Sequence, residues 1–401
     1  MKNKPLNIVI AGGGIGGITA ALCLHKAGHQ VTVLERNQTT TTDGAGIQLG
    51  ANALRVLDYL GLIDRLRPLA VEPSSVLFRD HSTGDVLYRM DLGQRYQQQY
   101  GLPYWHLHRG DLLSVLTETW LDQAPRGLRF GTQVQAYVEH VESVEVELNT
   151  GGSLECDLLI GADGIRSGIR QQLIGPTKPH YTGNVAWRAT VATSTLPPDW
   201  MDTVTTNFMG PGSHVVLYYL RDKKLANFVG VVEQTQPIDN TSWVTLGDKQ
   251  QLLEQFQGWH TTVQAMLDAI PSDACYQWSL YDHSPLDTWS SRAVTLLGDA
   301  AHATLPFMAS GAALAIEDAR ILQRALSQAD SIDAGLHLYQ FNRLQRTAKV
   351  QAQSRDFGKI YHIRSKWARR LAFSGIRLLG PLKEPFLPSY DANTIALNPI
   401  R

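Results

Sequence analysis

Asn7-Ile-Val-Ile-Ala-Gly12-Gly-Gly14-Ile15-Gly-Gly17, followed by an apolar segment to Ala27 and then by Gln30-Val-Thr-Val-Leu-Glu35, decides the fold of this chain. Residues 7–11 are a short apolar run suited to a buried strand. A helical pattern covers 15–27 and stops at Gly28, and residues 30–35 make a second apolar strand. Strand, turn, helix and strand in this order form a β-α-β unit with its two strands in one sheet. The turn carries the spacing Gly12-x-Gly14-x-x-Gly17. Its glycines permit a tight turn and close approach of a pyrophosphate, to which the helix N-terminus offers free N–H groups and a positive dipole end. Glu35, ending the second strand, is placed to hold ribose hydroxyls. In a chain with 34 glycines the bare spacing says little; its seat between strand and helix gives it meaning.

Working outward, further helices are predicted over 51–60 and 111–120. A strand meander spans 128–160, where Val134, Val144, Val146 and Leu148 alternate with polar residues before a turn at 149–152. Residues 157–162 read as another buried strand, and the four threonines at 39–42 as a loop. From 182 to 281 the texture becomes β-rich (185–191, 204–209, 214–220, 225–232), with one helix over 249–270. A strand at 293–297 returns to the first pattern, and a long helix starts at Gly311. The expected architecture is α/β. A Rossmann-like domain comprises 1–70, 101–176 and 286–354, with a β-rich substrate domain of 71–100 and 177–285 inserted and a helical tail over 355–401.

Composition narrows the function. A net charge of −1 gives no reason to expect nucleic acid as partner. Cys23, Cys156 and Cys275 are scattered without a Cys/His cluster, which fits a reducing cytoplasm and predicts neither a disulfide framework nor a metal site. The opening Met1-Lys-Asn-Lys before an apolar run imitates a secretory signal, but the glycines interrupt it. No apolar run reaches the roughly 18 residues of a membrane span.

Two further segments carry chemistry. Gly161-Ala-Asp163-Gly164-Ile-Arg166-Ser167 follows the 157–162 strand; read alone, its Asp163 could simply cap the next helix. Gly298-Asp299-Ala-Ala-His302-Ala-Thr-Leu-Pro306 lies between a strand and the helix at Gly311. An Asp there can receive a ribityl or ribose hydroxyl, and the helix can aim its positive end at a ring oxygen that becomes anionic on reduction. A plain capped junction is the structural alternative.

In this order the three motifs resemble those of the class A flavoprotein monooxygenases, the family of p-hydroxybenzoate and salicylate hydroxylases, over about residues 6–350. Glu35-Arg36, Gly44-Ala-Gly46-Ile-Gln48 and His108-Arg109-Gly-Asp-Leu112 also stand where that family carries FAD contacts. The resemblance implies an FAD-binding domain of the GR2 type. Gly12, Gly14 and Gly17, with Ile15 in the same turn, would cradle the pyrophosphate; Glu35 would hold the ribose, and Arg36 and the Val134 backbone would lie by the adenine. Gly46 would contact FAD, Arg109 would approach its flavin side, Asp299 the pyrophosphate–ribityl region, and Gly311 and Ala312 would turn N–H groups to the ring. Asp163 and Gly164 would serve FAD and transient NADH or NADPH together. Where many relatives read Gly-Gln-Gly, this chain has Ala309-Ser310-Gly311. The wording of 306–311 is more similar to the salicylate and 6-hydroxynicotinate hydroxylase branch, which favours a small one-ring acid.

The implied reaction consumes NAD(P)H and O₂ and hydroxylates a small phenolic or heteroaromatic acid through a flavin C4a-hydroperoxide, in a monomer or homodimer. Its protein side needs a base with a pKa near working pH to deprotonate a phenol. Strand period places His214, Val216 and Tyr218 on one face, a pair that matches the His-x-x-x-Tyr of hydroxynicotinate-type hydroxylases. That face could equally be the sheet's outer one. His302 after the third motif is a further catalytic candidate near the flavin, or a packed loop residue. Arg188 and Arg221 could anchor a substrate carboxylate. The basic tail with Trp367, Leu371, Phe373, Ile376 and Leu378 could lie on a membrane surface, or pack on the body with its charges in water. Competing functions are a monooxygenase of larger polycyclic or antibiotic-like substrates, a flavin oxidase or dehydrogenase, and a non-catalytic flavin sensor.

Overall fold

The computed structural model describes residues 4–40, 45–238, 245–379 and 387–398, with the side chains of 377–379 outside the description. Thr41, Thr42, Gly44 and the Leu378 side chain therefore lie outside it. A five-stranded parallel sheet forms in the order Val294–Leu296, Leu158–Gly161, Asn7–Ala11, Gln30–Leu34, Leu128–Arg129. Its central strand is apolar and buried from Ile8 to Ala11, because both faces are covered there, as a parallel sheet requires. Helix Ile15–Lys26 packs on one face against helix Gly311–Gln328, and both contribute to the apolar core around the sheet.

An eight-stranded sheet runs Thr245–Leu246, Tyr276–Asp282, His180–Ala192, Leu225–Glu233, Ser213–Leu220, Thr205–Gly210, Ser75–Asp80, Val86–Asp91. Its pleat sorts side chains as alternation demands: Val215, Leu217 and Tyr219 join a core under helices Lys249–Gln255 and Thr261–Ala269. The single helix expected over 249–270 is thus two. Gly258 takes a left-handed φ of 76°, and His260 Nδ1 accepts from Thr262 N at 3.3 Å to cap the second.

The long C-terminal helix is also broken, at 329–331, where Ser331 caps a second helix, Ile332–Tyr361, through Ala334 N at 3.1 Å. That helix runs unbroken through residue 355, where the tail was expected to begin. Helix Lys366–Leu379 packs on the body: Arg369 is buried against Asp80 at 2.9 Å, and Phe373 packs at a tilt against Phe78 with ring centroids 5.6 Å apart. Trp367 and Leu371, one turn apart, remain exposed. Among the described residues no helix is long and apolar enough to cross a membrane.

Candidate active site

A cavity of about 800 Å³ lies between the two large sheets, within the range of small-molecule sites. The parallel-sheet side contributes Gly14, Ile15, Gly164, Asp299, Gly311 and Ala312; the eight-stranded sheet contributes Arg188, His214, Val216, Tyr218 and Val231. Gly46 and Arg109 also line it. The face bearing His214, Val216 and Tyr218 is the inner one.

Local geometry explains each position. Gly12 has φ 112°, and a Cβ there would meet Ala162 O at 2.3 Å, so only glycine closes this turn. A Cβ at Gly14, by contrast, would find nothing within 4 Å. Neither helix Ile15–Lys26 nor helix Gly311–Gln328 has a side-chain cap at its N-terminus, and both open on the same cavity. Two uncapped helix starts offer donors and positive dipole ends to anionic groups. Asp299 stands beside them with its side chain open to the cavity; desolvation by the surrounding protein raises its carboxyl, opposed by His302 and Arg109.

At the other end, Tyr218 rests directly over Gly46, where a Cβ would come within 2.4 Å of its ring. Burial pushes its phenol up, with Arg188 and Gln48 pulling the other way. The His106 ring lies 4.5 Å from the Tyr218 ring, centroid to centroid. His214 is buried, its Nδ1 2.8 Å from His362 Nε2, which leaves Nε2 as the nitrogen that can serve a ligand. Arg188 stacks over Trp278 at 4.2 Å, and its Nε has no hydrogen-bond partner among the described residues. Burial lowers it only to about 10, so it is a cation at neutral pH.

Several expected site residues stand elsewhere. Glu35 accepts from Gly13 N at 2.8 Å and Asn37 N at 2.9 Å, which pins the glycine turn, and Arg36 is exposed. Neither of these, nor Val134, lines the cavity. Asp163 Oδ2 accepts from Gly168 N at 2.8 Å, the capping role open to it from sequence, while its neighbours Ala162 and Gly164 face the cavity. Arg221 is held by Asp111 at 2.6 and 2.8 Å, which leaves Arg188 as the cavity's candidate anion anchor of the two.

The expectation of His302 as a catalytic group needs correction. It turns from the cavity to Asp318, 2.6 Å away, and packs on Trp289. Behind it Arg343, fully buried, donates to Asp318 at 2.6 Å and forms an ion pair with Glu317 at 2.8 Å, and Arg346 joins Glu317 at 2.6 Å. Burial alone would raise Asp318, but His302 and Arg343 hold it at about 2. The network welds the Asp299 segment to two helices. Sequence reasoning missed it because Glu317, Asp318 and Arg343 look like surface charges of a helix until the packing is known.

A family model described as FAD binding domain matches residues 6–354. The chain is 36% identical over 361 residues to the 3-hydroxybenzoate 6-hydroxylase of Klebsiella oxytoca, covering 90% of this chain and 89% of that one. It is 34% identical to the 6-hydroxynicotinate 3-monooxygenase of Bordetella bronchiseptica, covering 89% and 92%. This chain belongs to the FAD-dependent aromatic hydroxylase family. A salicylate hydroxylase in its substrate complex superposes with a TM-score of 0.83 at 26% identity, covering 97% and 96%.

The hydroxylase's own residues fit FAD. The open space over Gly14 and the two uncapped helix N-termini suit a pyrophosphate and a ring oxygen. Asp299 offers an acceptor between them. The Ala309 departure is accommodated with φ 49°, a left-handed backbone that costs an alanine on the order of 1 kcal/mol or more. Asp299→Ala is expected to weaken FAD retention about tenfold or more while leaving the fold intact, since a charge-assisted hydrogen bond is lost. Flavin fluorescence during dilution measures it; undiminished retention would contradict the assignment.

Burial also sets an acid limit. It holds His214 well below 6.5, with His362 adding to the effect, and lowers His106 to about 3 despite a backbone hydrogen bond. It lowers His362 to about 4 against the pull of Glu233. A base whose folded pKa lies below its unfolded value is neutral in the fold, so protons favour the unfolded chain. Stability is full above pH 6.5 and falls as pH drops towards the folded values, by about 1.4 kcal/mol per pH unit for each such histidine. The urea midpoint should therefore fall between pH 6.5 and 5, before the carboxylates titrate. A flat profile there would contradict it.

Proposed function

We propose that this enzyme hydroxylates a small phenolic or hydroxypyridine carboxylic acid, with His214 as the base that takes the ring hydroxyl's proton and Arg188 as the anchor of the carboxylate. FAD, when bound, supplies the redox chemistry, accepting reducing equivalents from NAD(P)H and activating O₂. The observation that carries the reading is one cavity bearing His214 and Tyr218, an arginine whose Nε has no hydrogen-bond partner among the described residues, and, on the parallel-sheet side, Asp299 and Gly311. A phenol ionised at His214 Nε2 gains ring nucleophilicity. Tyr218 orients it, and Val216, Val231, Phe307 and Met308 keep the site apolar so that water is excluded. Arg188, fixed over Trp278, presents its guanidinium to a carboxylate. The relatives named above act on one-ring acids, and a cavity of about 800 Å³ shared with a flavin ring suits that size better than a polycyclic substrate. The three buried, unpaired cysteines accord with a cytoplasmic location.

Arg188→Met is the direct test of the anchor. It should raise KM for the acid about 10–100-fold, with a smaller change for the corresponding amide, because one charge-assisted contact is removed. An equal effect on acid and amide, or none, would remove Arg188 from recognition.

A further inference from the structure

We propose that His214, His362 and Glu233 form a proton relay that carries the substrate's hydroxyl proton out of the cavity into a separate, solvent-reached recess. The proposal rests on the reading of His214 as the base. A base buried at 2% exposure inherits a problem: the proton it takes must leave. Its only described polar contact is His362, whose Nε2 stands 2.8 Å from His214 Nδ1. The other nitrogen of His362, Nδ1, is 3.4 Å from Glu233 Oε1. The Glu233 side chain is 41% exposed and paired with Arg364 at 2.5 Å.

The three groups cross a wall. His214 lines the main cavity, whereas His362 and Glu233 line a second recess with Asn184, Arg355 and Lys359. Leu305 and Phe307 border both spaces and separate them. The chain's local structure holds the relay in line. Gly212, with φ 67°, donates its N–H to His362 O at 3.2 Å and accepts from Glu233 N at 2.9 Å. A Cβ there would stand 3.0 Å from Glu233 Oε2. The His214 ring is clamped between Phe307, Tyr361 and His362, with centroids 5.1–5.4 Å away.

The protons balance through tautomers. For Nε2 of His214 to accept, its proton must sit on Nδ1, donated to His362 Nε2; His362 then carries its own on Nδ1, towards Glu233. The phenol O–H bond breaks and its proton joins His214 Nε2. The Nδ1 proton passes to His362 Nε2, and the His362 Nδ1 proton passes to the Glu233 carboxylate and then to water. Return of a proton to the product oxygen runs the chain backwards and restores both tautomers. Burial holds both imidazoles neutral, so neither is a resting place and the proton moves on.

The test uses FAD-loaded wild-type enzyme and the variants H362A, H362Q and H214A, with 3-hydroxybenzoate, 6-hydroxynicotinate and salicylate as probes. Anaerobic stopped-flow absorbance follows ionisation of the bound ring hydroxyl, and steady-state assays give kcat and KM. The relay predicts that H362A and H362Q both ionise the probe at least about tenfold more slowly, with matching losses in kcat and little change in KM or FAD content. Added imidazole should restore H362A. Gln keeps a hydrogen bond yet cannot pass a proton, so recovery in H362Q would reveal mere packing and overturn the relay. Wild-type rates in both His362 variants, with H214A impaired, would overturn the relay and leave the base standing. If H214A also ionises normally, or no probe ionises in the wild type, the proposed base falls and the relay with it.

Discussion

His214→Ala should reduce turnover of the true aromatic substrate by about 10²–10⁴-fold while FAD remains bound, the range expected when a positioned general base is removed. The substitution reaches only the substrate end of the cavity. Gly14, Asp299 and Gly311 stand on the opposite sheet's helices and strands, untouched by it. Neither His106 nor Tyr218 can take over. His106 is fully buried with Nε2 on Thr205, and burial has driven it to about 3. Tyr218 is held protonated by burial. The variant should still bind the acid through Arg188, so the loss falls on kcat and not on KM. Uncoupled NAD(P)H oxidation in the variant would mark failure at the ring-activation step. Unchanged hydroxylation would remove His214 from the mechanism.

Arg343→Ala should destabilise the protein by about 3–5 kcal/mol, because it leaves Glu317 and Asp318 as buried charges without their shared partner. Arg343 is fully buried, contacts both carboxylates and donates to Leu314 O at 3.3 Å. Loss should be visible as a lower urea midpoint and as earlier release of FAD, since Asp318 also accepts from Gly298 N at 3.0 Å and so holds the Asp299 turn. Arg343→Met, by the same reasoning, should not rescue it, whereas E317Q/D318N combined with it should recover part of the loss. An unfolding free energy within about 1 kcal/mol of wild type, on the order of an exposed pair's worth, would show that the network is dispensable.

The β-α-β unit was legible because three independent local rules agree there: apolar strand, glycine turn and periodic helix. The His214/Tyr218 pair was legible as a face, by strand period, but not as an inner face; that follows only from how the sheet stacks on helices Lys249–Gln255 and Thr261–Ala269. The break in the 249–270 helix hid because Gly258 and His260 act through backbone φ and a ring nitrogen, not through polarity. His302 misled for a related reason. Adjacency to a motif in sequence put it near the flavin, while its partner Asp318 lies on the following helix and turns it inward. His362 gave no signal at all: it stands 148 residues from His214, and only tertiary structure brings the two rings together.

The most direct measurement is of purified, FAD-containing protein incubated with NAD(P)H, ¹⁸O₂ and a panel of phenolic and hydroxypyridine carboxylic acids, with product mass read out. The account predicts that at least one one-ring acid accelerates NAD(P)H oxidation and emerges with one ¹⁸O atom on its ring. NAD(P)H oxidation that no acid affects, or products that never carry ¹⁸O, would contradict it.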